Sequence, residues 1–175
     1  MTTLDSLRAA VRDVPDFPQP GIVFKDITPL LASPEHWRGC MEALAATAKG
    51  AAVDKVVGID ARGFIFAAVV ADRLGVGFVP VRKKGKLPWR TRGVSYDLEY
   101  GSNAIEMHED AIRPGERVLL VDDVLATGGT AAAALRLVQE AGGEIVAASF
   151  LIELGFLNGR AKLPEGVRVE SILMY

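Results

Sequence analysis

The sequence has little of what most metal, disulfide or membrane proteins need. Its 175 residues include one cysteine, Cys40, so no intramolecular disulfide forms, and a reducing compartment is expected. Two histidines, His36 and His108, and the single cysteine make no metal-site pattern, and all three are read as structural. No apolar run approaches the roughly 20 residues of a membrane span. The start, "MTTLDSLRAAVRDVPDF", has no basic segment leading into an apolar one, so no secretory signal is visible and a cytoplasmic location is expected. Neither sign of charge dominates. A net charge of −2 and a pI of about 5.7 give no grip on nucleic acid.

What is present is an ordinary globular balance, 50% hydrophobic and 24% charged, in a length that suits one domain. Leu4, Leu7 and Val11 fall on one helical face over 3–12, before "PDFPQPG" (15–21) breaks the chain. Ser33-Pro34-Glu35 reads as a helix start, with the helix running to about Lys49 and stopping at Gly50. "KVVGID" (55–60), "RGFIFAAVVADRLG" (62–75) and "GFVPVR" (77–82) read as strand, helix, strand. Val118–Val121, Gly129–Ala141 and 144–154 repeat the pattern. Apolar strands that do not alternate are those of a parallel sheet covered on both faces. Residues 83–116 alternate and carry turn residues, as an antiparallel excursion would.

The chemistry concentrates in "VLLVDDVLATGGT" (118–130). Ligands of open α/β sheets sit beyond the carboxyl ends of the strands, where Asp122 and Asp123 are expected to stand. The backbone amides of Ala126, Thr127, Gly128, Gly129 and Thr130, at the next helix's start, can take a phosphate. Carboxylates repel phosphate but accept hydrogen bonds from sugar hydroxyls. A ribose 5-phosphate satisfies both halves. The segment is not a P-loop, since G-x4-G-K-[S/T] occurs nowhere.

This stretch resembles the phosphoribosyl-diphosphate motif of type I phosphoribosyltransferases. "DFPQPGIVFKDITPLL" (16–31), "GIDARGFIFAA" (58–68), "VRKKGKLP" (81–88) and "SYDLEYG" (95–101) resemble, in the same order, the adenine-specific members. The resemblance covers nearly the whole chain. It implies an α/β fold with a central, mostly parallel sheet flanked by helices, a small hood and a flexible antiparallel loop excursion. Residues 1–175 would form a single domain, with 1–32 contributing to the base-binding hood. The implied reaction joins adenine and phosphoribosyl diphosphate into AMP and pyrophosphate, in purine salvage.

The resemblance also implies roles. Asp122 and Asp123 would hold the ribose. Asp60, Ala61, Arg62, Arg82, Lys83 and Lys86 would surround pyrophosphate, with a cis peptide at Asp60–Ala61. Val23, Phe24, Lys25 and Leu154 would bind adenine, Phe24 by stacking. Lys25 stands where many members carry Arg, and loses the planar fork. Glu99, with its neighbour Tyr100, would manage protons, and Arg62 would act on the leaving group. Ala126 stands where enzymes for 6-oxopurines carry an acid, which argues against hypoxanthine and guanine. Trp89 stands where Gly is common. Mg²⁺ is expected, held by substrate and water rather than protein side chains, and the protein is expected to be a homodimer. A transcriptional regulator binding phosphoribosyl ligands, or an enzyme of the superfamily using another base, are the alternatives. Pyrophosphate release with competing bases separates all three.

Overall fold

Apolar runs that need cover on both faces come together as the middle of one sheet. The computed structural model describes residues 3–97 and 102–175. The chain divides into two units, Met1–Ala43 and Leu44–Tyr175, the division falling inside one helix.

The first unit begins with α1 (Leu4–Ala10), capped by the Thr3 hydroxyl, which accepts from the Ser6 amide at 3.2 Å. The helical spacing over 3–12 is cut short, because Arg12–Pro15 (β1) pairs antiparallel with Val23–Asp26 (β2), Val14 opposite Phe24. The proline-rich stretch is therefore the turn of a hairpin. Its loop is closed by the Asp16 carboxylate, which accepts the Gly21 amide at 2.8 Å. A short helix α2 (Thr28–Ala32) leads to α3 (Pro34–Ala46), which ends earlier than its expected stop. His36 meets the Ser6 hydroxyl at 2.9 Å, and burial pushes the Cys40 thiol up to about 12, as suits structural residues.

The second unit is built on a seven-stranded sheet of β3 (Lys55–Ile59), β4 (Gly77–Lys83), β5 (Thr91–Asp97), β6 (Ser102–His108), β7 (Arg117–Leu125), β8 (Glu144–Glu153) and β9 (Val169–Met174). Their spatial order is β5-β6-β4-β3-β7-β8-β9. The 83–116 excursion does not stand apart from this sheet. β5 and β6 form an antiparallel hairpin, and β6 extends the sheet by pairing with Arg82 and Lys83 of β4. β9 was not legible as a strand.

Helix α4 (Arg62–Leu74) crosses from β3 to β4, and α5 (Gly129–Glu140) from β7 to β8. The two crossovers leave the adjacent central strands in opposite directions, so right-handed connections put the helices on opposite faces. The gap between β3 and β7 is a topological switch point. Helix α4 buries Gly63, Phe66, Ala67, Val70 and Ala71, one stripe at helical spacing, and ends at Gly75 in the left-handed conformation. It lies close to β3 because Gly58 has no side chain. A Cβ there would fall 2.9 Å from the Phe78 ring and closer still to Ala67. No helix among the described residues is long and apolar enough to cross a membrane.

Gly58→Val is therefore expected to force α4 away from the sheet. The expected loss is about 1–3 kcal/mol of stability, the range for overpacked cores, read as a lower urea midpoint. An unchanged midpoint contradicts this packing.

Candidate active site

Strands of unequal length make the site. The β3–β7 ladder ends at Gly58 opposite Val121, whereas the β7–β8 ladder runs on to Leu125 opposite Glu153. Asp122 and Asp123 therefore lie within β7 rather than past its end, as the sequence had suggested. Continued pairing with β8 holds two poor strand formers in extended backbone. On the β3 side the chain has already left the sheet. It turns through a cis Asp60–Ala61 peptide, as the family resemblance implied, into the first turn of α4. The notch so formed is a cavity of about 360 Å³, bounded by residues 59–63, 122–124 and Thr130.

Both acids are buried. Asp122 Oδ1 accepts the Asp123 amide at 2.9 Å, and the carboxylate packs on Gly63 so closely that any Cβ there would collide with Oδ1. Asp123 Oδ2 lies 2.7 Å from Arg62 Nε. No described donor is aligned on that oxygen, so the contact is an ion pair rather than a directed hydrogen bond. Burial, and then the charge of Asp123, push the Asp122 carboxyl well above the usual carboxylate range. Burial raises Asp123 too, opposed by the Arg62 guanidinium.

Beside the acids, residues 124–131 wrap a second cavity of about 70 Å³, of a size for one small oxyanion. Gly128 stands at φ +80°, a left-handed turn that glycine adopts without Cβ strain, and it precedes a helix with no side-chain cap. The amides of the first turn of α5 lack partners within the helix, and the positive end of its dipole lies at this cradle. The Thr130 hydroxyl donates to the Tyr96 hydroxyl at 3.1 Å, linking the cradle to β5.

The basic loop is held to the same corner. Arg82 Nε donates to Asp60 Oδ2 at 2.9 Å and Nη1 to the Lys86 carbonyl at 3.0 Å. Lys83 and Lys86 are exposed. A residue that sequence reasoning missed, the buried Glu106, accepts the Gly85 amide at 2.9 Å and the Thr91 hydroxyl at 3.1 Å, fixing the base of the loop. Its place in an alternating strand gave no signal of this. Gly159 was missed too; a Cβ on it would collide with the Ala126 carbonyl of the cradle. Trp89 is half exposed, its ring edge-on to His108 at 6.2 Å.

The structure thus brings together Asp60, Ala61, Arg62, Arg82, Asp122, Asp123 and the 126–130 cradle. Leu154 is partly buried just past β8, its amide donating to the Leu125 carbonyl at 2.9 Å. Val23, Phe24 and Lys25 belong to the first unit. There Phe24 meets Phe17 edge-on at 5.2 Å, and Lys25 Nζ lies 2.6 Å from Asp13 Oδ1, so this side chain is engaged within the hairpin. Glu99 and Tyr100 lie outside the described residues.

The raised Asp122 carboxyl has a consequence for stability. A fold that favours the protonated acid loses stability as pH rises through the raised value. Asp122→Asn keeps an oxygen for the Asp123 amide and removes the buried charge. The ligand-free variant is expected to melt above wild type at pH 7, with the difference shrinking as pH falls toward about 4, where an ordinary Asp titrates. A lower melting temperature at pH 7 contradicts the assignment.

Comparison with known proteins gives this geometry a family. The phosphoribosyl transferase domain model matches residues 26–165. The adenine phosphoribosyltransferase of Acidothermus cellulolyticus is 62% identical over 165 residues, 94% of this chain and 93% of that one. The crystal structure of adenine phosphoribosyltransferase from Rhodothermus marinus, 57% identical, superposes with a TM-score of 0.93 over 98% of both chains. That of the Saccharomyces cerevisiae enzyme, complexed with adenine and an iminoaltritol bisphosphate, is 39% identical and superposes at 0.91 over 97% of both. The chain belongs to the phosphoribosyl transferase family, and within it to the adenine phosphoribosyltransferases.

Proposed function

We infer that this protein transfers the 5-phosphoribosyl group of phosphoribosyl diphosphate to adenine. N9 of the base bonds to C1 of the ribose, the bond from C1 to the diphosphate oxygen breaks, and AMP and pyrophosphate leave. The observation that carries this reading is the buried Asp122–Asp123 pair set directly beside an uncapped helix start. One part accepts from a vicinal diol and the other donates to a phosphate, and a ribose 5-phosphate presents both.

Each group then has a task. The 126–130 amides hold the 5-phosphate, and Asp122 and Asp123 the ribose hydroxyls. Arg62, Arg82, Lys83, Lys86 and the Asp60–Ala61 main chain face the diphosphate, whose charge grows as it leaves. Asp60 keeps Arg82 extended toward this corner rather than loose in solvent. Within the first unit Val23, Phe24 and Lys25 are assigned to the base, with Lys25 acting through its main chain, since its side chain is held by Asp13; Leu154 keeps the role that the resemblance implies. Glu99, with Tyr100, takes up the proton that the base gives up, from its N7 side.

Mg²⁺ fits the donor set. Two adjacent carboxylates, one with an oxygen lacking any aligned donor, stand without a third acid or histidine ligand among the described residues. That suits a hard cation held mainly by waters and substrate oxygens, with no cage of protein side chains. Bound with the diphosphate, it would neutralise charge on the leaving group. We place the enzyme in the cytoplasm as a homodimer.

Three outcomes test the reading. Pyrophosphate release is expected with adenine and not with hypoxanthine, guanine or orotate; turnover with a 6-oxopurine contradicts the specificity read from Ala126, and silence with every base contradicts the enzyme. Asp122→Asn with Asp123→Asn is expected to raise KM for phosphoribosyl diphosphate at least about tenfold, about 1.4 kcal/mol or more, with adenine changed far less. Equal losses remove the ribose assignment. Glu99→Ala is expected to lower kcat more than it changes either KM, and an unchanged kcat takes Glu99 out of the mechanism.

A further inference from the structure

The phosphate cradle leans on a segment far from it in sequence. Gly128 and Gly159 face each other main chain to main chain. A Cβ on Gly128 would collide with the Gly159 carbonyl; one on Gly159 would collide with the Ala126 carbonyl and fall 3.1 Å from the Gly128 amide nitrogen. No side chain separates the two segments, so a shift of Gly159 passes directly to the cradle.

Gly159 opens a short 3-10 helix, Gly159–Lys162, which follows another, Gly155–Leu157, through Asn158 at φ +50°. Such pieces hold little shape by themselves. Beside the buried Leu163, the tie to the sheet is Arg160. Its Nε and Nη2 donate to the two carboxylate oxygens of Glu153, each at 2.7 Å, and Nη1 donates to the Val169 carbonyl at 3.2 Å. The Ser171 hydroxyl donates to Glu153 Oε2 at 2.5 Å. Glu153 is buried as the last residue of β8, in register with Leu125, the residue just before the cradle. A fork-on-fork pair fixes angle as well as distance, unlike a lysine's point charge.

We propose that Arg160 is a positioning residue for the 5-phosphate: clamped on Glu153, it holds Gly159 against Ala126 and Gly128 and so sets the shape of the cradle. The pair touches no substrate. It frames the loop from the β8 side as α5 frames it from the other. The inference rests on reading 126–130 as the phosphate cradle.

The test is calorimetric titration of ribose 5-phosphate, with steady-state kinetics, on the full chain. Arg160→Met is expected to weaken ribose 5-phosphate and raise KM for phosphoribosyl diphosphate by about tenfold or more, since displacements on the order of 1 Å carry such costs. KM for adenine should stay within about twofold. Arg160→Lys, which keeps the charge without the fork, is expected to fall between wild type and Arg160→Met, and it carries the test where Arg160→Met does not fold. Ribose 5-phosphate affinity within about twofold of wild type overturns the proposal. So does a loss of active fraction with both KM values unchanged, the signature of a merely structural residue. Gly129→Asp, which sets a carboxylate among the cradle amides, serves as the control. If it weakens ribose 5-phosphate while the Arg160 variants do not, only the positioning role falls; if neither does, the cradle assignment falls with it.

Discussion

Two carboxylates kept out of water where one strand stops and its neighbour continues are the constraint on which this structure turns. Burying one acid is costly, and burying two side by side more so. The fold accepts that cost at one place, opposite Gly63, whose missing side chain leaves room for Asp122, and beside Arg62, whose charge offsets Asp123. The turn after β3 and the extension of β7 are thus one device. The first supplies the glycine and the guanidinium, the second the acids, and the switch point between opposite crossovers leaves the space that they line.

The rest of the second unit steadies that device from its edges. Two further buried carboxylates each hold a connection by hydrogen bonds. Glu106 gathers the amide of Gly85 and the hydroxyl of Thr91 under the basic loop, and Glu153 gathers Arg160 and Ser171 behind the cradle. The Arg160 hydrogen bonds hold the Glu153 carboxyl below the usual range, whereas burial drives Asp122 above it. The contrast separates an acid that builds structure from one that waits for a ligand. Functional sites are where a fold keeps such local costs, because a group already satisfied has nothing left to offer a substrate.

Much of this was legible in the sequence. The runs at 55–60, 77–82 and 118–121, and the helices after Arg62 and Gly129, follow from apolar spacing and glycine stops. The motif order gave the family and the reaction. What stayed hidden depends on partners far along the chain. The hairpin of β1 and β2 lay behind three prolines that read as a break. The continuation of β7 through Asp122 and Asp123 is imposed by β8, against local preference. Nothing local to residues 158–160 tells that Gly159 meets residues 126 and 128. The packing of Gly63 on Asp122 joins positions roughly sixty residues apart, through a contact that leaves no periodic trace.

The most direct test of the account is a crystal structure of the complex with AMP. The ribose hydroxyls are expected within hydrogen-bond distance of the Asp122 and Asp123 carboxylates, with the phosphate oxygens facing the amides of residues 126–130. A nucleotide bound with its sugar turned away from both acids, or seated outside the notch between β3 and β7, would contradict it.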